Sequence, residues 1–144
     1  MNPLNTTTGQ LEVLLVEDDA AARDMLATAL RLNGYQVRTA ADGLAGLRLL
    51  DAYEPDVIVL DLALPIATGF DVIRELRGAV RHNGAPVIAI SGFDDNLRKA
   101  QETNEFFMTL AKPFDPEVLV RAVDRAIRQY QVQSGLGPVE PAGT

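Results

Sequence analysis

The sequence predicts an α/β fold, a doubly wound parallel sheet of five strands in the order 2-1-3-4-5 with five helices. Short apolar runs alternate five times with segments whose apolar residues recur at the helical period of about 3.6 residues. The connections between these segments are short, which favours a parallel sheet with helices on both faces. Right-handed crossovers then leave few topologies, and the doubly wound order is the natural one among them.

Each predicted element is recognised from its apolar pattern and its ends. The run 57–60 is wholly apolar, as expected of a strand in the middle of a parallel sheet. Gly34 is placed to end the first helix, and Asp115 with Pro116 indicates the start of the fifth, because Asp caps free N–H groups and Pro fits a first turn. The predicted strands are 12–16, 35–40, 56–60, 86–90 and 106–111. The predicted helices cover about 22–30, 44–50, 70–80, 94–103 and 118–127.

The 144 residues suit one domain with a short extension at each end. Residues 1–10 are polar for most of their length and are predicted to be a flexible leader. Residues 11–130 form the predicted domain. Residues 131–144 contain three glycines and two prolines with little to bury, so a disordered tail is predicted there.

Composition excludes several classes of protein. Hydrophobic residues make up 47% of the chain, so it can bury a core, but its apolar runs are too short to span a bilayer. The absence of cysteine excludes disulfides and thiolate metal sites. The net charge of −7 argues against direct binding to nucleic acid, which needs a basic face. A cytoplasmic protein without membrane contact is expected.

Polar residues stand at the carboxyl ends of four predicted strands. Glu17 and Asp18 follow the first, Asp61 the third, Ser91 the fourth and Lys112 the fifth. In the predicted topology strands one and three are neighbours, so the three carboxylates should converge. Two carboxylates ~5 Å apart repel by about 3 kcal/mol at an effective dielectric of 20, so the site needs a cation or must protonate one carboxylate. Hard oxygen ligands suit Mg²⁺. The set predicts in-line transfer of a phosphoryl group to a carboxylate.

Four short motifs in this order resemble the receiver domains of two-component response regulators, whose fold is flavodoxin-like. They are 13–19 (VLLVEDD), 61–65 (DLALP) with Gly69, 90–92 (ISG) and 112–114 (KPF). The resemblance covers roughly residues 11–130, and each motif lies at a predicted strand end. It implies a metal site in which Asp18 and Asp61 bind Mg²⁺, Glu17 assists through water and the backbone carbonyl of Ala63 completes the protein ligands. No organic cofactor is implied.

The resemblance also implies the chemical roles of the remaining residues. Asp61 would be the phosphorylated nucleophile, Lys112 would contact the phosphoryl group, and Ser91 would hydrogen-bond to it. The Lys112–Pro113 bond is often cis in this family, which an X–Pro bond permits. From its position just before the first predicted helix, Asp19 is better explained as the cap of that helix, and Gly69 as the residue that permits a tight turn.

Two positions depart from the family pattern. The family carries an aromatic residue three positions before the lysine, where this chain has Thr109, so the usual inward swing of a ring is not available here. The segment 104–108 (NEFFM) replaces the usual Gly-Ala turn before the fifth strand, and its apolar residues either fill the core or form a signalling patch. Ala63 and Phe93, which flank the phosphoryl site, are apolar and cannot orient a hydrolytic water. A long-lived acyl phosphate is therefore expected.

The resulting functional prediction is a stand-alone signalling switch, or a fragment of a longer protein, that catalyses only its own phosphorylation and dephosphorylation. Its expected partners are a sensor histidine kinase or a histidine phosphotransfer protein and an unidentified downstream protein, and the chain would be a monomer or weak homodimer. Two alternatives remain for comparison. One is a degenerate receiver that binds a partner without phosphorylation. The other is an enzyme of the haloacid dehalogenase type, which needs a second aspartate where this chain has Ala63.

Overall fold

The computed structural model describes residues 10–65, 68–78 and 84–133, and these form an α/β domain of alternating strands and helices. The strands are β1 (Glu12–Val16), β2 (Gln36–Ala40), β3 (Val57–Asp61), β4 (Val87–Ser91) and β5 (Met108–Ala111). The helices are α1 (Ala20–Leu32), α2 (Gly43–Ala52), α3 (Gly69–Gly78), α4 (Asp94–Gln101) and α5 (Pro116–Gln133).

The five described strands form one parallel sheet in the order β2-β1-β3-β4-β5, which confirms the predicted fold. Val13 of β1 pairs with Val37 on one side and with Val57 on the other. The reversal of winding falls between β1 and β3, so the carboxyl ends of these two neighbours meet where polar side chains were predicted.

The two faces of the sheet bury two separate cores. Alternate residues of a strand point to opposite faces, so Leu15 packs with α1 and α5, whereas Leu14 packs with α2 and α3. All five residues of β3 and of β4 are buried, as expected of strands covered on both sides. Burying a Leu or Ile side chain contributes roughly 1.5–3 kcal/mol, so these strands are a rigid support for the residues at their ends.

Capping residues fix where the first helix begins and ends. The Asp19 carboxylate accepts a hydrogen bond of 2.8 Å from the backbone N–H of Ala22, which confirms its predicted role as a cap. Gly34 follows Asn33, the residue that caps the carboxyl end of α1. Its φ of +95° is a left-handed conformation that favours glycine, so the chain can turn out of the helix there.

Several predicted boundaries differ from the structure. β5 begins at Met108, two residues later than predicted, although the N–H of Phe107 already donates a hydrogen bond of 2.8 Å to the carbonyl of Val87 in β4. α4 ends at Gln101, two residues early. α5 continues to Gln133, three residues into the predicted tail; the rest of that tail and residues 1–9 of the predicted leader lie outside the described residues. None of the helices described is long and apolar enough to cross a membrane.

Candidate functional site

Three carboxylates meet at the carboxyl end of the sheet. Glu17 and Asp18 directly follow β1, and Asp61 is the last residue of β3, the strand that pairs with β1 up to Val16 and Leu60. One carboxylate oxygen from each of the three lies within 4.8 Å of the others. The predicted convergence of these side chains is therefore confirmed.

Lys112, which directly follows the edge strand β5, brings a positive charge to the same point. Its Nζ lies 2.7 Å from Glu17 Oε1 and donates a hydrogen bond of 3.0 Å to Asp61 Oδ2. Its backbone N–H donates to the carbonyl of Ser91 at 2.9 Å, which fixes the base of the side chain at the end of β4. Lys112 thus bridges two carboxylates that come from different strands, and the Lys112–Pro113 bond is cis, as expected.

Two of the three carboxylates at this site are removed from water. Glu17 is 0% exposed and Asp61 is 3% exposed. Burial raises the pKa of Glu17, and the Asp61 charge adds to this rise, while Lys112 and the N–H of Asp19 oppose it. For Lys112, burial lowers the pKa, but its bonds to Glu17 and Asp61 outweigh that effect and hold the pKa above its usual value. The three side chains therefore form one mutually stabilised group.

The backbone orients Asp61 from two directions. Its Oδ1 accepts a hydrogen bond of 2.9 Å from the N–H of Ala63. Gly69, the first residue of α3, lies against the end of the strand: an added Cβ would stand 2.5 Å from the carbonyl oxygen of Asp61 and 2.7 Å from Cα of Leu62. A side chain cannot fit in this space, which gives a steric reason for glycine where a tight turn was predicted.

Asp18 differs from the other two acids because it is exposed. Within the described part of the chain, no hydrogen bond or ion pair holds its carboxylate, so its oxygens are available to a ligand. Together with Asp61 and Glu17 it offers hard oxygen donors without nitrogen or sulfur, the donor set that suits Mg²⁺ rather than a transition metal. The residues present therefore fit a small divalent cation.

Ser91 and Thr109 occupy different environments. Ser91 is buried at the end of β4, one residue beyond the sheet partner of Asp61, and its Oγ accepts a hydrogen bond of 3.0 Å from the N–H of Phe93. Thr109 lies in the middle of β5, and its Oγ1 accepts a hydrogen bond of 3.0 Å from Nε2 of Gln101, the last residue of α4. Ser91 thus belongs to the site edge, whereas Thr109 joins β5 to α4.

The apolar residues near the site form two groups, one that lines a surface depression and one that packs in the cores. Ala63 and the exposed Phe93 line an open depression of about 430 Å³ together with the first residues of α4. Phe106 meets the ring of Phe70 edge-on, with ring centres 6.1 Å apart, and Phe107 packs against the α1–α5 core. The aromatic residues before β5 therefore fill the cores, which was one of the two interpretations of this segment.

One contact at the site was not predicted from the sequence. Arg23, in α1, donates from Nη1 to the backbone carbonyl of Glu17 at 2.9 Å and lies 3.4 Å from that of Asp18. The sequence held one signal for it, a basic residue in the first turns of a helix, where the helix dipole disfavours positive charge.

Comparisons with known proteins agree with this geometry. The family described as response regulator receiver domain matches residues 13–124. The chain is 33% identical over 120 residues to the DNA-binding dual master transcriptional regulator RpaA of Synechocystis sp., covering 81% of this chain and 49% of that protein. The chemotaxis response regulator CheY4 of Vibrio cholerae is 29% identical with a TM-score of 0.76, covering 82% of this chain and 99% of that one.

A third relative is the receiver domain of a sensor histidine kinase from Pseudomonas aeruginosa PAO1, whose structure has a magnesium ion coordinated in the active site cleft. It is 31% identical with a TM-score of 0.74, covering 83% of this chain and 98% of that one. The chain spans about half the length of the curated relatives it matches. Because those relatives are transcriptional regulators, the expectations of a stand-alone domain and of no contact with nucleic acid have no support from them.

Proposed function

This chain belongs to the response regulator receiver domain family of two-component systems, and from that premise we propose that Asp61 accepts a phosphoryl group from a phosphohistidine. The donor would be a sensor histidine kinase or a histidine phosphotransfer protein. The observation that supports this proposal most directly is that Lys112 Nζ lies 3.0 Å from Asp61 Oδ2 within a cluster of three carboxylates. A lone carboxylate is a weak nucleophile for a phosphoryl group, and this cluster supplies both orientation and countercharge.

The proposed reaction is a displacement at phosphorus. A carboxylate oxygen of Asp61 forms the new O–P bond while the P–N bond to the donor imidazole breaks, and the imidazole leaves with the electron pair. Asp18 and Asp61, with Glu17 through water and the Ala63 carbonyl, would hold a magnesium ion that neutralises charge on the phosphoryl oxygens. Lys112 would transfer its hydrogen bonds to those oxygens, and Ser91 would bond to the phosphoryl group as it forms.

The proposed output is a change in binding at the surface formed by α4, β5 and α5. A phosphoryl group bonded by Ser91 and Lys112 stabilises one arrangement of the segments that follow β4 and β5 over another, and a difference of a few kcal/mol suffices to shift such an equilibrium. The chain would act in the cytoplasm, as a monomer or weak homodimer. It would have no substrate besides its own Asp61. The surface would act on a partner protein or on an attached output domain.

The alternative is a receiver that binds its partner without phosphorylation. Thr109 favours it in one respect, because its hydroxyl is already bonded to Gln101 and no aromatic ring at this position can report the state of Ser91. The complete set of Glu17, Asp61 and Lys112 favours the phosphorylated switch.

Incubation with acetyl phosphate and Mg²⁺, followed by intact mass measurement, separates the two. The wild-type chain is expected to gain one phosphoryl group, and the Asp61→Asn variant none. The same reaction with EDTA should show no gain. A wild-type chain that stays unmodified, while a known receiver domain is labelled in parallel, would reject the phosphorylated switch and favour the alternative.

A further inference from the structure

Arg23 binds the backbone between the two acids that follow β1. It is the fourth residue of α1, and its side chain returns past the start of the helix to the loop. Nη1 donates to the carbonyl of Glu17 at 2.9 Å and approaches that of Asp18 at 3.4 Å. A planar guanidinium has several donors in a fixed geometry, so it can hold neighbouring carbonyls in a defined relation.

The position of Arg23 is unfavourable for helix stability alone. The amino end of a helix carries partial positive charge, and acidic residues are preferred there. The first turn of α1 has no acidic residue, and the guanidinium adds positive charge close to it. The helix dipole therefore does not explain Arg23, whereas the acidic residues that precede α1 and the hydrogen bond to their backbone give it favourable contacts.

The loop needs such a contact at Asp18 more than at Glu17. The Glu17 side chain accepts a hydrogen bond of 3.1 Å from the N–H of Asp19 and pairs with Lys112, and its backbone N–H donates to Ala40. Among the described residues nothing binds the Asp18 carboxylate itself. Its direction is set by the backbone on either side of it, which is the backbone that Arg23 contacts.

We propose that Arg23 is a positioning residue that fixes the backbone of Glu17 and Asp18 so that the Asp18 carboxylate faces the cation site. The inference rests on the proposed function, since it assumes that the three carboxylates bind a divalent cation. A positioning role and a purely electrostatic role predict opposite changes in Mg²⁺ affinity when Arg23 is replaced. A guanidinium beside the site repels a dication, so removal of its charge alone would strengthen Mg²⁺ binding, whereas loss of the backbone contact weakens it.

The test is the dissociation constant for Mg²⁺, measured by isothermal titration calorimetry on the full chain in metal-free buffer at pH 7. Arg23→Met keeps the apolar stem and removes the donors, and we expect binding to weaken about tenfold, in the range found for residues that orient metal ligands. Arg23→Lys keeps the charge but not the fork, and should also weaken binding. It serves as the second variant if the first does not fold, which circular dichroism establishes.

Arg31→Met is the matched control. Arg31 is also in α1, and its Nη2 donates to the carbonyl of Val37 at 2.9 Å, far along the helix from the acids. This variant loses a comparable backbone contact, and its Mg²⁺ affinity should stay within about twofold of wild type. If both Arg23 variants bind Mg²⁺ as tightly as wild type or more tightly, or if Arg31→Met weakens binding equally, the positioning role is rejected. Absence of Mg²⁺ binding by the wild-type chain would reject the cation site and this role together.

Discussion

The end of β3 and the edge formed by α4 and β5 are built in different ways. At the end of β3, Asp61 is buried and held by Lys112 and by the N–H of Ala63. At the other edge, α4 has eight residues, and Phe93 at its start supplies no side-chain cap. In β5, which is described in full, every residue is at least partly exposed. The contrast shows that the candidate site lies on the more buried part of the fold, whereas the adjacent edge has fewer buried contacts to lose if it moves.

The largest effect is expected when the charge balance of the rigid region is broken. Lys112→Met removes the cation that pairs with buried Glu17 and Asp61, and the free energy of unfolding should fall by about 2–4 kcal/mol at pH 7. The lower part of that range is favoured because Lys112 is 30% exposed. Urea unfolding in EDTA measures the change.

The same variant has a predicted pH dependence. The pKa of Glu17 is raised in the folded state, so folding is favoured below the ordinary value of 4.5 and loses this contribution as pH rises through the folded pKa. The deficit of Lys112→Met should therefore shrink as pH falls from 7 towards 4.5. Lys99→Met, whose ammonium lies 4.7 Å from the centre of the Phe70 ring, is the control, with an expected loss of about 0.5–1 kcal/mol. A deficit that is constant with pH contradicts the assignment to Glu17.

A second variant disturbs the rigid region through its backbone. Gly69→Ala puts a Cβ against the carbonyl of Asp61 and Cα of Leu62, neither of which can rotate away, so unfolding free energy should fall by about 1–3 kcal/mol. Gly46→Ala is the control: it lies within α2, and its Cβ would meet a side-chain atom of Val16 at 3.0 Å. A gain of about 1 kcal/mol in helix propensity offsets that contact. Equal losses in the two variants would contradict the steric argument.

The third prediction concerns the depression between the two regions and depends on the proposed phosphorylation. Ala63→Asn places a polar side chain two residues from Asp61, where it can orient water for attack on the acyl phosphate. Hydrolysis should become several-fold faster, an effect of up to about 1.4 kcal/mol in the barrier. Decay of the phosphorylated mass over time measures the rate. Ala41→Asn, exposed at the end of β2, should leave it unchanged. No acceleration in Ala63→Asn would count against a role for the apolar lining.

The smallest effect is expected at the α4–β5 edge. Gln101→Ala removes an exposed hydrogen bond to Thr109 and should lower the unfolding free energy by about 0.5 kcal/mol. Hydrogen exchange should nevertheless quicken at the α4 amides while the β3 amides keep their protection. Gln129→Ala, on the exposed side of α5, provides a control that should change neither. Faster exchange in β3 after Gln101→Ala would show that the two regions are not separate.

The sequence predicts the fold and most of the site because both depend on local patterns. The apolar run before Asp61 identifies a central strand, and strand order then brings Glu17, Asp18 and Lys112 to the same end. The start of β5 was predicted too early because Phe106 and Phe107 are good strand formers, whereas the residue at which pairing with β4 begins, Met108 opposite Ile88, is decided by the whole fold.

Long-range contacts of individual side chains are harder to predict from the sequence than the strands and helices are. The hydrogen bond from Arg23 to the Glu17 carbonyl is not marked by any periodic pattern in the sequence. The position of a residue in a helix does not show which loop its side chain contacts. The Gln101–Thr109 bond joins a helix end to a strand middle, and neither residue is unusual at its position. The end of α5 was predicted too early because residues 131–133 are mostly polar and precede glycines, a pattern that favours the end of a helix. Once a helix has formed, adding a residue costs little, and α5 continues to Gln133.

The pairing of Lys112 with two acids has a consequence for which ion the site can accept. When Glu17, Asp18 and Asp61 are ionised, one ammonium leaves an excess of two negative charges. A dication cancels this excess, whereas sodium or potassium would leave one charge uncompensated. Among the side chains that meet at the site, Lys112 therefore supplies one positive charge, and a bound dication would supply the two that remain.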